Sequence, residues 1–195
     1  LGWLHAQNLL DMPADMAMVR TLDKKARQAF ARALELDKEN FGALFGTSPF
    51  KERQRDINVW GLSPASAQSG VSRPSQGIFR RTPIGTTYDA FDSERYVLTF
   101  ENRAFRDIAA NAPYDVVEIL VNSATYGGGG IFGLYGTVAA DSAWAPYVFV
   151  HEFGHHLAAL ADEYYTSDVA YLPATDRIEP WEPNATALLG GSGVP

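Results

Sequence analysis

The chain has no cysteine among its 195 residues, so no disulfide can brace it, and its redox compartment stays open. A cationic surface is missing as well. Sixteen Lys and Arg stand against 23 Asp and Glu, giving a net charge of −7 and a pI near 5.0. The basic residues are scattered, so nothing supplies the stripe that a phosphate backbone requires, and nucleic acid is excluded as an expected partner. No apolar run approaches the roughly 20 residues that span a bilayer, so no membrane span is expected. Leu1 to Leu10 has neither the basic start nor the apolar middle of a signal peptide. A soluble mature chain is expected; its start at leucine rather than methionine suggests that a leader or a larger N-terminal region has been removed. Internal repeats and low-complexity tracts are also absent.

What is present is enough apolar material for a core: 46% hydrophobic and 12% aromatic residues in a chain the size of one ordinary domain. From Ala14 to Leu44, Leu22, Ala26, Ala29, Phe30, Ala33 and Leu34 recur at three-to-four-residue spacing and predict an amphipathic backing helix. Arg55 to Leu62 reads as a strand through Ile57, Val59 and Trp60, followed by a long Ser-, Pro- and Gly-rich loop to Thr87. Glu101 to Ala110 reads as a helix that stops before Pro113. Val116, Val117, Ile119, Leu120 and Val121 have the near-continuous apolar character of a central strand covered on both faces. Gly127 to Gly130 would end that strand in a tight reversal, Ile131 to Val138 would be a second strand, and Trp144 to Leu160 a long, largely buried helix.

The chemistry sits in that last helix, in His151-Glu152-Phe153-Gly154-His155. Residues four apart on a helix lie about 40° apart around the axis and one turn along it, so both imidazoles can reach one cation. Glu152 lies about 100° round from His151, well placed to touch a water on the open side of a zinc ion. Together these parts suit peptide hydrolysis: the cation lowers the pKa of the water and polarises the carbonyl, while Glu152 acts as general base. The pattern arises by chance about once in two hundred chains of this length. An apolar helix face, Val148 to Val150, leads directly into it. Gly154 would weaken the helix by roughly 1 kcal/mol unless something must approach closely there.

Other residues have ordinary readings. His156 points about 100° from His155 and is expected in the core or supporting a ligand. His5 has no sequence partner and is read as surface. The four consecutive glycines serve equally well as a flexible turn or as a place where substrate backbone comes close. Asn184-Ala185-Thr186 fits a glycosylation acceptor, a pattern short enough to be coincidental. Asp89, Asp92 and Glu94 read as a solvated acidic turn rather than a calcium loop. Ala31 to Asn40 has a tetratricopeptide flavour, but a single unit cannot stack as that architecture requires.

From Gly46 onward the sequence resembles the IgA-specific metalloendopeptidase family. The resemblance is carried by Thr47-Ser48-Pro49-Phe50-Lys51-Glu52-Arg53, by Phe91-Asp92-Ser93-Glu94-Arg95-Tyr96, and by Val121-Asn122 with Tyr126-Gly127-Gly128-Gly129-Gly130-Ile131. It continues through the histidine motif and Leu160-Ala161-Asp162-Glu163-Tyr164-Tyr165 to Glu179-Pro180-Trp181-Glu182-Pro183-Asn184. It implies a secreted bacterial zinc endopeptidase of metzincin-like fold acting on protein or peptide, without implying that immunoglobulin is the substrate. The expected architecture is α/β (α+β): a twisted mixed sheet, a backing helix and an active-site helix. Residues 1–45 would form an N-terminal helical segment packed on a catalytic domain at 46–195. Metzincins place a methionine-containing turn beneath the metal, yet Met12, Met16 and Met18 all precede the active-site helix. The catalytic domain is therefore expected to be incomplete at its C-terminal end.

The resemblance also selects Asp162 as third ligand beside His151 and His155. On an unbroken helix Asp162 would lie about 16 Å along the axis from His151, far outside a zinc bond of roughly 2 Å. The chain must turn back near Ala158-Ala159-Leu160, where the family usually has a glycine. An alanine in a left-handed turn costs roughly 1–2 kcal/mol, which metal ligation could offset. Glu163 would then support the site, and Tyr164 or Tyr165 would face the reacting carbonyl. Two alternatives stay open: a gluzincin-type peptidase with Glu179 or Glu182 as third ligand, and a non-catalytic binding module of the same fold. Ile131 to Leu134 is expected to be a cleft-edge strand that pairs with extended substrate.

Overall fold

The structure, a computed structural model, describes residues 38–162 and 180–186. Most of the expected N-terminal helix, His5, the three methionines, Glu163, Tyr164, Tyr165 and Glu179 lie outside the described residues. In chain order the elements are α1 (Lys38–Gly46), α2 (Asn102–Ala109), β1 (Glu118–Val121), β2 (Gly128–Ile131), β3 (Tyr135–Ala139) and α3 (Ala145–Ala158). Three short 3-10 turns precede α2 and β1. The architecture is mixed α/β, as the sequence predicts. The sheet runs β1-β3-β2, with β1 parallel and β2 antiparallel to the central β3.

Strand periodicity separates two apolar layers. Ile119, Val121, Tyr135 and Ala139 face a core completed by Phe105 and Ala109 of α2 and by Tyr88, Val97 and Leu98. Phe105 meets Tyr135 edge to face with ring centroids 5.2 Å apart. Val138 on the opposite face packs with Leu44 of α1 and Ala145, Val148 and Phe149 of α3. Phe149 is fully buried and meets Phe41 at 5.3 Å; removing such a side chain from water is worth about 1.5–3 kcal/mol. α3 is thereby fixed between the sheet and α1.

Several expected elements are revised. Residues 55–62 hold no strand: the chain makes a 3-10 turn at Gln54–Asp56 and then runs without regular structure. Alternation of apolar residues there meets no neighbouring strand to pair with. The 116–121 run begins as strand only at Glu118, and it lies at the sheet edge with Leu120 exposed, rather than at the centre. The glycines do not form a reversal, since Gly128–Ile131 is itself β2. The reversal comes three residues later, where Gly133 adopts φ +67 and its N–H donates to the His156 carbonyl. Residues 131–138 are therefore the end of one strand, a turn and most of another.

The glycine run has a packing cause. A Cβ on Gly128 would sit 2.6 Å from Val148 Cγ1, and one on Gly130 would sit 2.6 Å from the Glu152 carbonyl oxygen and 2.8 Å from His155 Cβ. At Gly130 the body brought close is the α3 backbone, and at Gly128 it is the Val148 side chain. Gly130→Ala must push the helix off the strand, and we expect it to lose about 1–3 kcal/mol together with metal affinity. Gly133→Ala meets no atom within 4 Å and should cost about 1–2 kcal/mol from its left-handed backbone alone, leaving metal affinity intact. Chemical denaturation and metal titration of the two variants check this; equal metal affinity in both would overturn it.

Candidate metal centre

α3 begins behind Trp144 with Pro146 in its first turn, where the missing N–H has no intrahelical acceptor to lose. Its inner face carries Val148, Phe149, Glu152 and His156, all buried. The helix ends at Ala159, which takes the left-handed conformation at φ 58, ψ 33, and the Ala159 N–H donates to the His155 carbonyl. Leu160 N–H reaches back to the Gly154 carbonyl at 3.4 Å, and the Leu160 side chain comes within 3.2 Å of where a Gly154 Cβ would be. Gly154 thus makes room for the returning chain. The reversal required by the Asp162 argument is made by alanine.

That reversal brings three donor atoms together. His151 Nε2 lies 3.1 Å from His155 Nε2, and each is 3.1 Å from Asp162 Oδ1. The Nδ1 of His155 donates to the Leu160 carbonyl, which leaves its Nε2 lone pair facing the centre of the triangle. Asp162 Oδ1 is buried, facing the two imidazole nitrogens. Tetrahedral zinc with bonds of about 2.0–2.1 Å holds its donors about 3.3–3.4 Å apart, so this donor set fits such an ion. Among the described residues, this is the one cluster of His, Asp and Glu arranged to hold a metal. Glu182 is buried and lines the same cavity without joining the cluster.

Glu152 stands beside the triangle, its side chain almost wholly enclosed. Burial first, then the charges of Asp162 and Glu118, raise its pKa to about 8, with Arg95 pulling the other way. Burial and His155 lower the pKa of His151, favouring the neutral imidazole that a metal requires. Glu152 and His151 border two adjoining hollows of about 230 and 380 Å³. The smaller is bounded by Arg95, Tyr126 and Tyr147, the larger by Gly130, Phe132, Leu160 and Trp181.

His156 supports the site from behind. It is 3% exposed, and its Nδ1 lies 3.4 Å from Glu118 Oε1. Burial drives His156 down to about 4 and Glu118 well above the ordinary carboxylate range. Both shifts favour the uncharged form of each partner. Gly136 leaves the space, for a Cβ there would lie 2.3 Å from the carboxylate. Sequence reasoning missed Glu118; the signal available was a single carboxylate inside an otherwise apolar run. Asn184, whose fit to a glycosylation pattern was read as coincidental, uses its side-chain amide on the Ala161 backbone. Asp89 accepts a hydrogen bond from the Ser75 N–H and does not join Asp92 and Glu94 in a cation site.

Two histidines and an aspartate around one point form a candidate metal site, with a buried glutamate beside them. The profile of the IgA Peptidase M64 family matches residues 24–193, and the chain belongs to that family of metallopeptidases. Its substrate is accordingly protein or peptide. No curated protein matches the sequence. Among the described residues, no helix is long and apolar enough to cross a membrane.

The Glu118–His156 pair gives a pH test. Because the folded pKa of Glu118 is raised, its contribution to stability is complete below the unfolded value near 4.5 and declines as pH rises towards the folded value. Glu118→Gln keeps a donor for His156 and removes that titration. In urea denaturation of metal-free protein, the variant should gain stability relative to wild type between pH 5 and pH 8. A difference that stays constant across that range would disprove the assignment.

Proposed function

We propose that this enzyme is a zinc-dependent endopeptidase in which His151, His155 and Asp162 hold the metal and Glu152 is the general base. The observation that carries this reading is the triangle of donor atoms with sides of 3.1 Å. Three lone-pair-bearing atoms at that spacing repel one another unless protons or a cation lie between them. When bound, zinc supplies Lewis-acid chemistry, acidifying a water and polarising the scissile carbonyl.

The remaining chemistry belongs to the chain. Glu152 Oε accepts the proton as the water oxygen attacks the carbonyl carbon, then delivers it to the leaving amine nitrogen as the C–N bond breaks. Its enclosed setting makes it a stronger base than an exposed carboxylate, and a neighbouring dication would keep it ionised at neutral pH. The edge on which extended substrate pairs is assigned to Gly128–Ile131, since residues 132–134 form the turn. Gly128 directs its N–H to the Arg95 carbonyl and its own carbonyl to the Val97 N–H. Strand alternation therefore turns the N–H and C=O of Gly130 to the same outer edge, beside the larger hollow. A secreted location is proposed on the family resemblance alone.

Glu152→Gln should retain zinc and lose turnover by about 10²–10⁴-fold, measured by metal analysis and peptide cleavage; near-normal cleavage would sink the base assignment. Asp162→Ala should release zinc far more readily than Glu182→Ala or Glu179→Ala, measured by chelator competition. A larger effect at either glutamate would favour the gluzincin-type arrangement.

A further inference from the structure

The turn that delivers Asp162 is held by more than the end of α3. Ala159 N–H and Leu160 N–H bond back to the helix, and the Leu160 carbonyl is taken by His155. At Ala161 the helix offers no further partner. Both of its backbone groups go instead to one side chain 23 residues later: the Ala161 N–H donates to Asn184 Oδ1 at 2.7 Å, and Asn184 Nδ2 donates to the Ala161 carbonyl at 3.0 Å. An amide side chain paired this way imitates a neighbouring strand and fixes both the position and the rotation of the peptide that leads into Asp162.

The segment bearing Asn184 is itself anchored. Trp181 packs on Phe132 of the β2–β3 turn with ring centroids 5.9 Å apart, Glu182 is buried, and the Ala185 N–H closes a turn onto the Glu182 carbonyl. The clamp is thus tied to the sheet on one side and to the ligand turn on the other. We infer that Asn184 is a positioning residue for the third metal ligand, acting through the Ala161 backbone to hold Asp162 Oδ1 within reach of His151 and His155. The inference rests on reading Asp162 as a ligand. Asn184 is exposed, so removing its amide opens Ala161 to water, and the fold should survive the change.

The test is zinc affinity of the full chain, read by competition with a chromogenic chelator, beside the melting temperature of the metal-free protein. Loss of a group that orients a ligand typically weakens metal binding 10–100-fold, and this is expected of Asn184→Ala with the metal-free melting temperature held within about 2 °C. Asn184→Asp is measured in parallel: it keeps the acceptor for the Ala161 N–H but sets an oxygen against the Ala161 carbonyl, so it too should weaken zinc. In an Asp162→Ala background, Asn184→Ala should cause no further loss, because its route to the metal is gone. Wild-type affinity in both Asn184 variants while Asp162→Ala loses zinc would overturn the clamp and leave the ligand assignment standing. The same fold-loss from Asn184→Ala with and without Asp162 would also overturn it, exposing a general structural role. Wild-type affinity in Asp162→Ala would instead refute the ligand assignment.

Discussion

The contact between β2 and α3 is the constraint on which the site depends. A helix ordinarily stands off from a sheet by the length of the intervening side chains; here Gly128 and Gly130 remove those side chains, and the helix backbone settles at Glu152 and His155 directly onto the strand. Glycine in a strand gives up packing and adds entropy to the unfolded chain. That cost is offset by placing the metal donors and the strand edge on one rigid seam. Burial of Phe149 between sheet and α1 keeps the helix there.

Lodging a helix so close also encloses polar groups that water would otherwise solvate. Glu152, His156 and Glu118 are all buried in or behind the site, and each is driven towards its neutral form. The arrangement divides them by role. Glu118 and His156 face each other away from the hollows that flank the candidate metal site. Glu152 faces those hollows, where a dication would restore its charge. One enclosed region therefore holds two carboxyls shifted the same way by burial, one against an imidazole and one against the donor triangle.

Legibility in the sequence followed the range of the interactions. The helix carrying His151 and His155 was readable because a period of 3.6 puts the two on one face, and a fixed rise per residue required a turn before Asp162, which the family resemblance, not periodicity, had selected. The mixed α/β class was readable from apolar patterning. The glycine strand was not, because glycine disfavours strands locally and only the tertiary approach of α3 selects it. The 55–62 segment misled for the opposite reason, since local alternation promised a strand that no partner completes. Glu118 with His156 and Asn184 with Ala161 join residues 38 and 23 positions apart, and no periodicity connects such pairs.

The Ala161–Asn184 pair also changes how the chain between its two anchors can vary. Because the Ala161 N–H and C=O are both held by one side chain, that closed base, not the number of residues between its two anchors, sets where Asp162 stands. Loop-closure entropy grows only with the logarithm of length, about 0.6 kcal/mol per doubling. Insertions between the anchors would thus be thermodynamically cheap and would leave the Ala161–Asn184 base as it is. The position of the third donor is thereby uncoupled from the length of chain that joins its clamp to it.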